Sequence, residues 1–391
     1  VLFGFNNSFP AIALNKIENE FDDFEMHISN FEAKCFQIAT SLASVIGSIL
    51  FSILYRYITH KKLLSIMSIV LSFGWFLVLA TNEQRFWLGI LSICLQGFII
   101  GGYLFMVPLY MLEFATFRLS NLYGTMNQVG VAAGGVICNL INAFVSWKIF
   151  CIIAGIFALI FSGLIQLIPD DSYSQNIQRN NHDHISFTDL WKKSKKWIIV
   201  IIISTILSQM SGINAIIGNL TEILSSSGLT FNQYLQSALT TSSQIISVII
   251  SAFLSDIVGC KLLWIISSFG VSICLIIFAL DIKLNFEGWV SALTVFVYML
   301  FFGIGVGPIP WYISLDFFDL RNCLIPETIV SVLNMLTSFV VVLLYPILND
   351  SIGMFNTILI YAVLTLISAL FIMLTMNTKK NFIQTEQLTL I

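Results

Sequence analysis

The sequence has few charged residues and shows none of the usual signatures of a catalytic or metal-binding site. Aspartate, glutamate, lysine and arginine make up 10% of its 391 residues, whereas soluble domains carry about 25%. This shortage excludes a soluble, a disordered or a nucleic-acid-binding protein. No phosphate-binding loop, nucleophile triad or Cys/His ligand spacing occurs, so we expect no enzymatic activity, no metal and no cofactor. The seven cysteines lie mostly inside apolar runs and are interpreted as packing residues.

Hydrophobic residues are abundant instead, at 57% of the chain, with a mean hydropathy of +0.91. They are gathered in long runs, and a helix needs about 20 apolar residues to cross ~30 Å of hydrocarbon. The sequence therefore predicts an all-α polytopic membrane protein with twelve transmembrane helices. The predicted spans are 1–14, 35–55, 63–81, 86–108, 122–144, 147–168, 197–218, 235–257, 262–280, 290–313, 328–348 and 353–376.

A long polar segment after the sixth run divides the spans into two equal sets. We predict a six-helix bundle over residues 1–168, a cytoplasmic linker over 169–196, a second six-helix bundle over 197–376 and a cytoplasmic tail over 377–391. The first run is too short to span and has no basic segment before it, so we expect a truncated first helix and not a signal peptide. Lysines and arginines are more frequent in the loops on the side of the termini, which favours a cytoplasmic location for both termini. We expect an integral protein of the plasma membrane.

Spans 4 and 10 end in the same pattern, which indicates an internal duplication. In each copy a proline stands two residues before a tyrosine, and an arginine follows a carboxylate by five residues. The copies are Pro108, Tyr110, Glu113 and Arg118, and Pro310, Tyr312, Asp316 and Arg321. Two helical bundles related by duplication are typical of alternating-access transporters.

Two motifs carry a resemblance to a known family. Span 7 contains Ser208-Gln209-Met-Ser-Gly212-Ile213-Asn214-Ala215, and span 10 contains Gly307-Pro308-Ile-Pro310-Trp311. They resemble the QQ-x-SGINA and GPIPW motifs of the sugar porter family of the major facilitator superfamily. The resemblance extends from Gly4 to about Lys380. It implies the major facilitator fold, embedded in a lipid bilayer, and a small-molecule sugar as substrate.

The resemblance also implies a set of sugar-contact residues. A sugar is a polyol with an apolar ring face, so its site needs neutral donors and acceptors together with an aromatic wall. The implied residues are Gln128, Gln209, Asn214, Gln244, Trp311 and Asn334. Gln244 has independent support, because it lies on one polar helical face with Thr240, Ser247, Ser251 and Ser255. Gln209 and Asn214 are five residues apart, and Gly212 between them would let the helix loosen.

A second set of residues is predicted to gate the transporter. The expected cytoplasmic ion pairs are Glu113 with Arg118 and Asp316 with Arg321. Asp256 is the residue retained from the family's charged pattern after span 8. The alternative is that these are solvated loop charges of little energetic value. Gly307, Pro308 and Pro310 are expected to break or bend span 10 at the gate.

Several positions depart from the family and bear on the mechanism. Proton-coupled members carry an aspartate in the first helix, where this chain has Asn6, and the glutamate and arginine of helices 10 and 4 become Gly303 and Ile93. No titratable side chain lies near the middle of a predicted span. We therefore predict facilitated, uniport transport of a hexose, glucose above all. The alternatives are a non-transporting sugar receptor or sensor, and a transporter of another polyol or of a disaccharide, which an altered pocket would favour.

Overall fold

The computed structural model describes residues 1–18, 28–113, 120–167, 187–220, 232–284, 286, 289–318 and 323–376. All regular structure in these residues is helical, which confirms the prediction of an all-α membrane protein. Ten helical segments are long and apolar enough to cross a membrane. Spans 1 and 5 complete the predicted set of twelve.

The amino-terminal half consists of six continuous helices. They are span 1, Leu2–Glu18; span 2, Asn30–Leu54; span 3, His60–Val78; span 4, Phe86–Glu113; span 5, Ser120–Asn142; and span 6, Trp147–Ile165. A short 3-10 turn at Glu83–Arg85 precedes span 4. The helices alternate in direction. We call the side where span 1 begins the Val1 side and the side where it ends the Lys16 side.

Two spans of the carboxy-terminal half are interrupted. Span 7 comprises the helices Phe187–Gln209 and Ile213–Gly218. Span 10 comprises Trp289–Ile304, a 3-10 turn at Ile309–Trp311 and the helix Ile313–Phe317. The continuous helices are span 8, Gln233–Val258; span 9, Cys260–Leu284; span 11, Leu324–Ile352; and span 12, Met354–Thr375.

Several helices extend beyond the predicted apolar runs, and the starts of spans 7 and 11 are two of the predicted boundaries that are wrong. Span 7 begins at Phe187 instead of residue 197, and non-helical backbone at Ser194 marks a kink between its polar and apolar parts. Span 11 begins at Leu324 instead of residue 328 because Pro326 lies in the first turn, where its missing N–H is not needed. Glu327 consequently falls inside the helix.

Two glycines make one-residue connections between neighbouring spans. Gly259 joins spans 8 and 9, and Gly353 joins spans 11 and 12, with φ of 85° and 81°. Their ψ values are 150° and 156°, a combination that is essentially restricted to glycine. These connections hold the paired helices in antiparallel order.

Within the first half, spans 2 and 4 approach each other at backbone contact. A Cβ atom at Gly97 would lie 2.4 Å from the Thr40 carbonyl oxygen, and one at Gly101 would lie 2.1 Å from that of Ser44. Ser44 Oγ in turn donates to the Gly97 carbonyl at 2.7 Å. Because lipid offers no hydrophobic drive for helix association, close packing of small residues must hold such helices together.

The two halves meet along two helix pairs, spans 2 with 11 and 5 with 8. Ser41 Oγ and Ser338 Oγ lie 3.5 Å apart across the first pair. Near the second pair, Asn15 Oδ1 of span 1 accepts hydrogen bonds from Gln233 Nε2 and the Tyr234 hydroxyl, each at 3.0 Å.

Replacing Gly101 by alanine should destabilise the folded protein by ~1–3 kcal/mol, since the added methyl group forces spans 2 and 4 apart. Gly163→Ala is the matched control, because nothing lies within 4 Å of a Cβ at that position. Thermal melting of both variants in detergent measures the difference. Equal melting temperatures would contradict the proposed helix contact.

Candidate functional site

The break in span 7 brings two predicted site residues together. Gly212 has φ of 81°, and a Cβ atom at this position would lie against the ring of Tyr361. Residues five apart on a continuous helix point about 140° away from each other. With the break between them, Asn214 Nδ2 donates to Gln209 Oε1 at 2.5 Å. The structure thus confirms that Gly212 interrupts the helix.

The break in span 10 lies beside that of span 7. The helix ends at Ile304, and Gly307, Pro308 and Pro310 fall between it and Trp311, as the sequence predicts. Ser208 Oγ donates to the Val306 carbonyl at 2.7 Å, so a hydroxyl of span 7 satisfies a backbone group released by the break. Ser208 stands where the family has glutamine, and the sequence analysis missed this role.

The amides predicted for the site on spans 5 and 8 are buried. These are Gln128 and Gln244, which are 8% and 3% exposed. Asn334 of span 11 is 2% exposed, and its Nδ2 has no partner in the described structure. A buried amide without a partner costs about 1–3 kcal/mol. Unused hydrogen-bonding capacity of this kind is what a polyol ligand would fill.

The polar face predicted for span 8 is confirmed as a buried face. Thr240, Gln244, Ser247, Ser251 and Ser255 are all at most 4% exposed. Gly303 of span 10 lies against this face, with no room for a Cβ beside Ser247 Oγ. The replacement of a family glutamate by Gly303 therefore closes the space between spans 8 and 10.

Trp311 is 4% exposed and follows the break of span 10. Its neighbour Tyr312 lies against Gly124 of span 5, where an added Cβ would be 2.5 Å from the tyrosine Cβ. This contact brings the aromatic wall of the second half against the helix of the first half that carries Gln128.

A cavity of about 380 Å³ lies towards the Lys16 side, within the range of ligand pockets. Its outer wall includes Lys34, Asn219 and Asp350, and it reaches inward to Asn6 and Asn214. Asn214 lines this cavity, whereas the other five predicted sugar contacts do not. The structure therefore does not gather all six around this cavity.

A neutral pair occupies the centre of the first half. Asn6 Nδ2 of span 1 donates to Gln96 Oε1 of span 4 at 2.6 Å, and both residues are fully buried. Gln96 Nε2 donates to Ser92 Oγ at 3.2 Å, and Ser92 Oγ donates to the Gly74 carbonyl of span 3 at 2.6 Å. The sequence analysis identified Asn6 but missed Gln96, although an amide inside an apolar run was a signal for it.

The predicted gating charges fall largely outside the described structure. Arg118 and Arg321 are not among the described residues, and Glu113, Asp256 and Asp316 lie in helices whose side chains are not described at those positions. Their ion pairs remain predictions. The sequence also missed Glu327, which is fully buried in the first turn of span 11.

Comparison with known proteins decides the family. The profile described as "Sugar (and other) transporter" matches residues 1–183 and 170–387. The chain belongs to this sugar transporter family. Its members are transporters of the major facilitator superfamily and not enzymes, which confirms the expected fold, the membrane location and the absence of enzymatic activity.

Named relatives and solved structures agree with this assignment. "Sugar transporter ERD6-like 6" of Arabidopsis thaliana is 26% identical over 72% of this chain and 66% of its own length. "Facilitated trehalose transporter Tret1" of Apis mellifera ligustica is 24% identical over 96% and 82%. The solved proton:xylose symporter XylE bound to 6-bromo-6-deoxy-D-glucose superposes with a TM-score of 0.79 at 18% identity, covering 97% of this chain and 94% of XylE. That likeness supports the shared fold.

Replacing Gly212 by alanine should separate Asn214 from Gln209, because alanine is strained at a φ of 81° and would meet the Tyr361 ring. We expect at least a fivefold loss of sugar binding, measured by ligand protection against heat. Gly163→Ala, in open space on span 6 and outside the cavity, should bind sugar normally. Equal binding by both variants would contradict a role for the break.

Proposed function

We propose that this family member carries out facilitated, uniport diffusion of a hexose, with glucose as its principal substrate. The observation that supports the proposal best is the neutral chemistry of the bundle interior. Among the described residues, amides and hydroxyls occupy its buried polar positions in spans 1, 4, 5, 7 and 8 and, apart from Glu327 in the first turn, in span 11. Neutral groups bind a neutral polyol without requiring an accompanying ion.

In this proposal the sugar contacts amides from both halves. Gln209, Asn214, Gln244 and Asn334 bind its hydroxyl groups from the second half, and Gln128 binds them from the first. Trp311 faces the apolar side of the ring. The buried amide of Asn334, whose Nδ2 has no partner in the described structure, supports this arrangement, since a bound sugar would supply the hydrogen bond that it lacks.

The Asn6–Gln96 pair supports the absence of proton coupling. A proton symporter needs a titratable group in the membrane that gains and loses a proton during the cycle. Span 1 instead has the amide Asn6, which is hydrogen-bonded to a second amide at 2.6 Å. Neither side chain can carry a proton at physiological pH.

The orientation and the gate complete the proposal. With both termini in the cytoplasm of a cell whose plasma membrane holds the protein, the cavity lined by Lys34 and Asp350 faces the exterior. Glu113 with Arg118, Asp316 with Arg321, and Asp256 then close the cytoplasmic side. The breaks at Gly212 and at Gly307–Pro310 allow local movement while the halves rock about the sugar.

A second candidate is transport of a disaccharide. It is favoured by the similarity to the honey bee protein named as a facilitated trehalose transporter, which extends over 96% of this chain. Positions 218 and 219, which line the outer cavity, also hold glycine and asparagine where the family resemblance implies two aromatic residues.

Liposomes containing the protein should take up labelled D-glucose in preference to L-glucose, to the same final level with and without an inward proton gradient. The physical reason is that no side chain of the proposed site takes up and releases a proton together with the sugar. Unlabelled trehalose in excess tests the second candidate, because only a disaccharide transporter would lose D-glucose uptake to it. Gradient-driven accumulation would contradict uniport, and binding without uptake would favour a receptor.

Gln128→Ala and Asn214→Ala should each raise the KM for D-glucose about fivefold, the equivalent of one lost hydrogen bond of ~1 kcal/mol. Asn356→Ala is the matched control, since this amide is exposed and donates only to the Ile352 carbonyl of its own half. Uptake is normalised to protein in the membrane. An unchanged KM would remove the altered residue from the site.

A further inference from the structure

One ionisable side chain inside a span has no place in the proposed sugar site. Glu327 is fully buried in the first turn of span 11, and no described cation forms an ion pair with it. Its Oε1 accepts a hydrogen bond from the Ser314 hydroxyl, and its Oε2 has no partner in the described structure. Carboxyl groups are rarely retained inside a membrane protein without a function.

The partner of Glu327 belongs to the segment that follows the break of span 10. Ser314 follows Trp311 by three residues and lies in the five-residue helix Ile313–Phe317. The break in span 10 disconnects this segment from the helix Trp289–Ile304. So short a helix is not stable alone, and contacts with other spans must therefore fix its position.

Two such contacts are present at opposite ends of the short helix. Phe317 stacks on Trp197 of span 7, with ring centroids 4.1 Å apart and an interplanar angle of 16°. Ser314 is fully buried and donates to Glu327 of span 11. The ring stack is apolar and not directional, whereas the hydrogen bond is directional and fixes Ser314 Oγ relative to Glu327 Oε1.

A local helix-capping role does not explain Glu327. The residue before span 11, Cys323, makes no side-chain capping hydrogen bond. The hydrogen bond of the Glu327 carboxyl joins it to the segment after the span 10 break and not to the start of its own helix.

We infer that Glu327 is a positioning residue, which holds Ser314 and thereby sets the place of Trp311 at the sugar site. The inference rests on the proposed function in so far as Trp311 contacts the sugar. The required property is a hydrogen-bond acceptor of this length and not a negative charge. Glutamine offers the same acceptor on the same side-chain length.

The test combines Glu327→Gln, Glu327→Ala, Ser314→Ala and the Glu327→Ala/Ser314→Ala double variant in the full chain. Zero-trans D-glucose uptake gives KM and the maximal rate. We expect the two alanine variants and the double variant to raise KM by the same factor, about fivefold, while Glu327→Gln stays within about twofold of the parent. Ser331→Ala is the control, a fully buried serine whose hydroxyl has no partner in the described structure.

A Glu327→Gln variant as defective as Glu327→Ala would overturn the inference, because charge would then matter. Additive effects of the two alanine substitutions would overturn it as well. Thermal melting without sugar provides a second readout of the pair, which should show the same non-additivity. If the parent takes up no D-glucose, the proposed function fails. The melting temperatures of the two single alanine variants and the double variant then confirm or reject the Glu327–Ser314 contact without any transport measurement.

Discussion

The hydrocarbon core of the bilayer offers no hydrogen bonds, so every polar group in the spans must find its partner within the protein. This constraint explains where the polar side chains of the chain lie. Serines bind carbonyl groups of neighbouring helices, as Ser44 does with Gly97 and Ser208 with Val306. Some buried polar atoms have no partner in the described structure, and Asn334 Nδ2 is the one among them that belongs to the proposed sugar contacts.

The two breaks in the second half follow from the same constraint. Backbone groups released at Gly212 and around Pro308 are tolerated only because they face protein or cavity. The breaks place short segments carrying Asn214 and Trp311 between otherwise rigid helices. The first half has no equivalent break in its described residues, and its central polar pair, Asn6 with Gln96, is joined by a direct hydrogen bond, while Asn6 Oδ1 has no partner in the described structure. The binding chemistry is accordingly concentrated in the half whose helices are interrupted.

Most of the fold could be predicted from the sequence, because twelve apolar runs and two family motifs determine an architecture of two bundles. The break at Gly212 and the buried face of Gln244 were also predictable from residue type and spacing. Gln96 and Ser208 were not, since their partners come from helices distant in sequence. Glu327 was missed for a different reason: a hydropathy pattern places the start of span 11 after Pro326, whereas the helix includes it.

The central claim is that a neutral sugar crosses this protein without an accompanying ion. Charge movement measures this directly, in proteoliposomes adsorbed on a solid-supported membrane and exposed to a jump in D-glucose concentration. The account predicts no sugar-evoked transport current, although labelled D-glucose enters the same liposomes. A sustained current that carries positive charge in the direction of the sugar, and is absent with L-glucose, would contradict it.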